Sequence, residues 1–142
     1  MAHCFTIGYQ GRSLEDLCSV LFNYGVDQLI DIRERAWSNR PEFRKQALEQ
    51  GLATVGIEYE HFKEAGNPFR PRNGQNKSFE ACAREYRRYL RENSDVLDEA
   101  EEFLLGSSVA FFCYEANSKE CHRSVLVEEL SRRMSELAVD HL

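Results

Sequence analysis

Apolar residues recur along this chain in two alternating rhythms: short solid runs of four or five, and longer stretches in which they return every third or fourth position. Cys4-Phe5-Thr6-Ile7 is a run of the first kind, a short buried strand stopped by Gly8. After the turn Tyr9-Gln10-Gly11-Arg12, Ser13 is placed to cap a helix, with Asp16 three residues on. Leu14, Leu17, Cys18 and Leu21 then form one helical face, and Gly25 supplies the stop. Gln28-Leu29-Ile30-Asp31-Ile32 is the second strand. Phe43, Ala47, Leu48 and Leu52 predict a second helix, introduced by Pro41 and closed near Gly56. Ile57-Glu58-Tyr59-Glu60 alternates as a more exposed third strand. A loop over 66–77, rich in Gly, Pro, Asn and Arg, precedes a helix capped by Ser78 with Phe79, Cys82, Ala83, Tyr86 and Leu90 inward. A shorter helix follows Asn93-Ser94 and ends at Gly106. Val109 to Cys113 is the clearest buried strand. The last helix begins at Asn117 or Ser118, with Leu126, Val127, Leu130 and Met134 inward. Val139 to Leu142 opens a final strand and brings His141 to the sheet.

Strands alternating with helices predict one α/β domain over 1–142: a mostly parallel sheet of four or five strands with helices on both faces, three layers in a Rossmann-like arrangement. All strand C-terminal ends then fall on one edge, where ligands of such sheets bind.

A chain of 142 residues buries an adequate core without staples. Hydrophobic residues at 42% and charged ones at 30% exclude disorder. No apolar run approaches membrane-spanning length, so no membrane partner is expected. Met1-Ala2-His3-Cys4 lacks an export signal, and five cysteines without one point to a reducing cytoplasm. Cys4, Cys18 and Cys82 fall at apolar positions and read as core. The net charge of −6 is uneven: residues 28–91 hold thirteen Lys/Arg against nine Asp/Glu, whereas residues 92–142 hold four against twelve. A basic middle suits an anionic small molecule or a nucleic acid. Arg84, Arg87, Arg88 and Arg91, at helical spacing beside Tyr86 and Tyr89, offer a nucleic-acid face against the plainer reading of a solvated helix. Nothing in the sequence fixes the oligomeric state.

The strand ends carry the candidate chemistry. Gly8, Gln10, Gly11, Arg12 and Ser13 follow the first strand. Asp31, Arg33, Arg35, Trp37 and Ser38 follow the second. His61, Gly66 and Asn67 follow the third, and Tyr114, Glu115, Cys121, His122 and Arg123 the fourth. Asp31 ends an apolar strand, where a carboxylate is costly unless bonded or used. With Glu115 it makes two carboxylates on one rim, a pair suited to acid/base work. Cys121 opens a helix beside cations, which favours a thiolate nucleophile; the structural alternative has it packing beneath the helix. Arg33, Arg35 and Arg123 suit an anion, unless their charge is taken up by Asp31, Glu34 and Glu115. The expected catalytic set is Asp31, His61, Glu115 and Cys121. The expected substrate-binding set is Gly8, Arg33, Arg35, Ser38, Asn67, Tyr114, His122 and Arg123. Asp31, His61, Glu115 and Arg123 should line one cavity.

Several motifs are absent. Cys113 is followed six residues on by Lys119, not by the arginine of a phosphatase or sulfurtransferase loop, and there is neither a dinucleotide fingerprint nor a phosphate-cradling lysine motif. Cys113, Cys121, His122 and His61 are zinc-competent residue types, but no paired short-spaced cysteines support a site, so neither metal nor other cofactor is expected.

Taken in order, Thr6-Ile7-Gly8-Tyr9, Asp31-Ile32-Arg33 with Trp37-Ser38, Tyr59-Glu60-His61, Gly66-Asn67-Pro68, Cys113-Tyr114-Glu115 and Cys121-His122-Arg123 resemble an uncharacterised domain family, domain of unknown function 488. Ala36 and Ala65 depart from it, standing where proline and leucine are expected. The resemblance runs over nearly the whole chain and implies an α/β domain of bacterial or archaeal type; it brings no reaction. Three functions fit the residues: an enzyme acting on a nucleotide or other anionic substrate, a non-catalytic module binding nucleic acid or protein, and a thiol redox protein using Cys121, with Cys113 as its partner.

Overall fold

Val109, Phe111 and Cys113 turn to one face of their strand and Ala110 and Phe112 to the other, and all five are buried. A strand of period two that is apolar at every position must be covered on both sides. The computed structural model, which describes residues 2–69 and 77–142, shows how. Five parallel strands, β1 (His3–Gly8), β2 (Gln28–Asp31), β3 (Glu58–His61), β4 (Val109–Cys113) and β5 (Ala138–His141), lie in the order β3-β2-β4-β1-β5. Helices α1 (Leu14–Asn23) and α2 (Lys45–Ala53) pack on the face formed by Phe5, Ile7, Leu29, Ala110 and Phe112. Helices α3 (Phe79–Glu92), α4 (Ser94–Gly106) and α5 (His122–Arg133) pack on the opposite face, against Cys4, Ile30, Val109, Phe111 and Cys113. The expected α/β architecture is therefore present, as an all-parallel sheet with five α-helices among the described residues. None of these helices is long and apolar enough to cross a membrane.

The sequence signals for α1 act as expected. The Ser13 hydroxyl accepts from the Asp16 amide, and Gly25 takes up φ +71°, a backbone conformation that favours glycine. Two helix starts differ from expectation. Pro41–Phe43 forms a separate 3-10 turn, Arg44 is extended, and α2 begins only at Lys45. The Lys45 amide donates to the Ala36 carbonyl and the Arg44 guanidinium to the Ser38 carbonyl, so the preceding loop captures groups a continuous helix would have used. Likewise Ser118–Glu120 is a 3-10 turn closed by the Asn117 side chain, and α5 starts at His122 after an extended Cys121. Of the 66–77 loop, residues 70–76 lie outside the described residues.

Burial in β1 has a consequence for alkaline stability. Enclosure in the core, with Asp140 adding to it, pushes the Cys4 thiol from about 9 up to about 12. From pH 9 to 12 the unfolded chain releases a proton that the folded one retains, so stability is full below pH 9 and falls as pH rises through this window. Burial also raises the Tyr59 and Tyr86 phenols, which adds to the loss above pH 10. Melting temperatures measured from pH 8 upward should fall with a slope that Cys4→Ala reduces between pH 9 and 10. An unchanged slope in the variant would assign the alkaline loss to other groups.

Candidate functional site

The connections that leave β1 and β2 run to α1 and α2 on one face, while that leaving β4 runs to α5 on the other. Loops that part in this way leave a crevice at the C-terminal edge of the sheet. A cleft of about 570 Å³ lies there, walled by residues that follow four of the strands: Tyr9 after β1, Arg33 to Arg40 after β2, Asn67 and Pro68 after β3, and Tyr114 with His122 after β4.

The floor is built by close approach of two strand ends. The Tyr9 and Gln10 amides donate to the Cys113 and Tyr114 carbonyls. Gly8 is required for this contact, because a Cβ there would stand 1.8 Å from the Glu115 carbonyl oxygen. Gly8, expected to bind substrate, is thus a packing residue.

Asp31 and Arg33 make a buried ion pair beside the cleft. The Arg33 Nε and Nη2 donate to the two Asp31 carboxylate oxygens at 2.9 and 2.7 Å, and Nη1 donates to the Phe43 carbonyl at 2.8 Å. The Tyr59 hydroxyl donates to Asp31 at 2.5 Å. The Arg33 guanidinium also lies over the rings of Tyr9 and Phe112. Burial opposes the Arg33 charge and Asp31 sustains it, while burial, joined by Asp31, holds the Tyr59 phenol protonated.

Arg123 is in the first turn of α5, as expected, but it points inward and is fully buried. Its Nε donates to the Thr6 hydroxyl at 3.1 Å, Nη1 to the Glu115 carbonyl at 2.6 Å and the Cys113 sulfur at 3.1 Å, and Nη2 to the Ala116 carbonyl at 3.2 Å. Burial pulls its guanidinium down to about 10, which leaves it cationic at neutral pH.

Of the eight expected binding residues, Arg33, Arg35, Ser38, Asn67, Tyr114 and His122 line the cleft; Gly8 and Arg123 do not. None of the expected catalytic residues lines it. Asp31 is committed to Arg33 and Tyr59, the His61 Nε2 lies 2.8 Å from the Arg33 carbonyl, and Cys121 is joined to Cys113 by a disulfide in the core. Glu115 is half-buried, its carboxylate 3.7 Å from the Cys113 sulfur. The expected convergence of Asp31, His61, Glu115 and Arg123 on one cavity is therefore not met at this cleft.

Sequence reading missed Tyr9, Glu34, Asn39, Arg40 and Pro68 as lining residues. Tyr9 and Pro68 belong to the short motifs quoted above, and Arg40 follows Ser38 by two, so the signal was adjacency. The walls are aromatic and basic. Trp37 is 53% and Tyr114 39% exposed, unusual for such large rings. Arg40 packs over Phe43 and bonds to Glu42 and the Arg12 carbonyl. Arg35 is exposed on the rim and has no hydrogen-bond or ion-pair partner among the described residues. Elsewhere, the arginine stripe of α3 is partly neutralised: Arg87 pairs with Glu128 and Glu129 of α5, and Arg91 with Glu129.

Fold and cleft together define an all-parallel α/β domain whose candidate site lies at the C-terminal edge of its sheet. The family model described as domain of unknown function DUF488 matches residues 13–130, and the chain belongs to that family. Comparison with curated proteins and with solved structures finds no match.

Proposed function

We propose that the domain binds a small anionic ligand carrying a flat ring, of the nucleotide class, in this cleft. The observation that carries the reading is that two exposed rings, Trp37 and Tyr114, line one cleft with the Arg35 cation, which has no partner among the described residues. Aromatic faces accept a heterocycle, and a guanidinium fork accepts a phosphate or carboxylate. Asn67 and Ser38 add polar groups to the same cleft. An enzymatic role requires an acid, base or nucleophile at the ligand. Asp31, His61, Glu115 and Cys121 all stand off the cleft wall, which leaves Glu34 and His122 as its carboxylate and imidazole, and its aromatic and cationic lining supports binding best.

Trp37 is the only tryptophan in the chain, which makes its fluorescence a reporter of this cleft alone. Titration with purine and pyrimidine mononucleotides should change that fluorescence saturably, with the corresponding nucleosides binding more weakly. Arg35→Ala should weaken nucleotide binding about tenfold or more, the scale of one charged hydrogen bond, without moving the melting temperature. Absence of a saturable change with every nucleotide at millimolar concentration would refute the proposal.

A further inference from the structure

We propose that Cys113, Cys121 and His122, when the two cysteines are reduced, form a binding site for one soft divalent cation of the zinc type. The proposal is independent of what the cleft binds. The Sγ of Cys113, the Sγ of Cys121 and a ring nitrogen of His122 all lie within 4.8 Å of one another, and all three residues are buried. Two thiolates and an imidazole are the donor set that zinc prefers over the hard oxygen ligands of magnesium or calcium.

The surroundings are arranged for that role. The His122 Nε2 lies 2.9 Å from the Ile32 carbonyl oxygen. A carbonyl can only accept, so Nε2 carries a proton, and in the neutral ring Nδ1 is the nitrogen with the lone pair. Nδ1 is the atom that faces the Cys121 sulfur, at 3.8 Å. Metal-bound histidines characteristically donate their other ring N–H to a backbone carbonyl in this way, which fixes both tautomer and ring orientation. The Arg123 Nη1 donates to the Cys113 sulfur, a contact that favours a thiolate and counters the Glu115 carboxylate 3.7 Å from the same sulfur. The backbone spacing points the same way. The Cα atoms of Cys113 and Cys121 are 7.5 Å apart, wider than the roughly 4.4–6.8 Å usual for a disulfide. Two thiolates sharing one tetrahedral ion need about 3.8 Å between their sulfurs, which a wider backbone separation accommodates.

Three protein donors leave the fourth position of a tetrahedral ion to water or another small ligand. The disulfide and the metal-bound dithiolate are exclusive states of the same pair. Forming the disulfide removes two electrons and two protons from the dithiol, and with them both sulfur ligands. A phosphine reductant such as TCEP reverses this, giving two thiols as the phosphine becomes its oxide with oxygen taken from water.

The test uses the full chain without oxygen. Protein reduced with TCEP and freed of metal is titrated with Co²⁺, and the Co²⁺ is then displaced by Zn²⁺. One equivalent of Co²⁺ should bind, with a thiolate-to-cobalt charge-transfer band and the intense visible bands of tetrahedral cobalt, all removed by Zn²⁺. The same wild-type chain oxidised with diamide should give no such bands, a comparison that needs no substitution. Cys121→Ser should abolish the charge-transfer spectrum or weaken Zn²⁺ binding by about 100-fold, and His122→Ala by about tenfold or more. Circular dichroism of each variant separates loss of a ligand from loss of the fold. No stoichiometric Co²⁺ or Zn²⁺ in the reduced wild type, or undiminished binding after oxidation, would overturn the proposal.

Discussion

Replacing Asp31 by alanine will destabilise the protein by about 3–5 kcal/mol, the usual consequence of removing one partner from a buried ion pair. For a chain of this size that is a fall in melting temperature of roughly 10–15 °C. The pair itself is not the source of so large an effect, since a well-packed apolar replacement of both partners is often neutral. The penalty lies in what remains: Arg33, itself buried, would keep a charge that neither Phe112 nor Tyr9 can neutralise. The Tyr59 hydroxyl would also lose its acceptor. Two companions divide the effect. Tyr59→Phe removes one neutral donor to a carboxylate and should cost about 1–2 kcal/mol. Asp31→Ala combined with Arg33→Met removes both charges and should recover part of the single-variant loss. Urea unfolding at neutral pH measures all three. A loss below about 1 kcal/mol for Asp31→Ala would mean that solvent screens the pair as it does surface ion pairs.

The same ion pair explains how far the site could be read in the sequence. A carboxylate at the end of an apolar strand was legible at Asp31 as a costly group needing a partner. The arginine two residues on offered that partner, yet pairing and catalysis predict the same residue types at the same spacing. The fold was more accessible, because alternation at Val109 to Cys113 and helical spacing at Leu14, Leu17, Cys18 and Leu21 each admit one geometry. The start of α2 was not, because hydrogen bonds from Arg44 and Lys45 to a loop six to nine residues upstream leave no local pattern. Six of the expected binding residues line the cleft because they follow strands, and topology alone carries such residues to the edge. The four catalytic candidates were misplaced relative to the cleft by the same reasoning. Position after a strand does not say whether a side chain turns into the frame or out to the opening, and charge favours the frame wherever a buried counter-group waits.

Arg123 provides the sharpest test of that distinction. If it gripped a ligand, Arg123→Met would leave stability intact and weaken nucleotide binding. The geometry predicts the reverse. Methionine keeps most of the volume and no donor, so the Glu115 carbonyl loses its hydrogen bond, while the Thr6 hydroxyl keeps His141 as a partner and the Cys113 sulfur is only a weak acceptor. Ala116 is exposed, and its carbonyl can be hydrated instead. An unsatisfied buried polar group costs about 1–3 kcal/mol, and here the Glu115 carbonyl carries most of that cost. A loss of about 2 kcal/mol follows, offset in part because the variant no longer holds a cation where burial disfavours it, the same burial that pulls the guanidinium down to about 10. Arg123→Lys should fall between wild type and Arg123→Met, since one ammonium cannot reach contacts spread from Thr6 in β1 to Ala116 beyond β4. Thermal melts of the three proteins, paired with the Trp37 titration at a temperature where all are folded, decide the matter. A melting temperature lower by roughly 6 °C with nucleotide affinity within about twofold of wild type is the expected result. Unchanged stability with weakened binding would place Arg123 at the ligand and refute its role as the clamp between β1 and the β4–α5 loop.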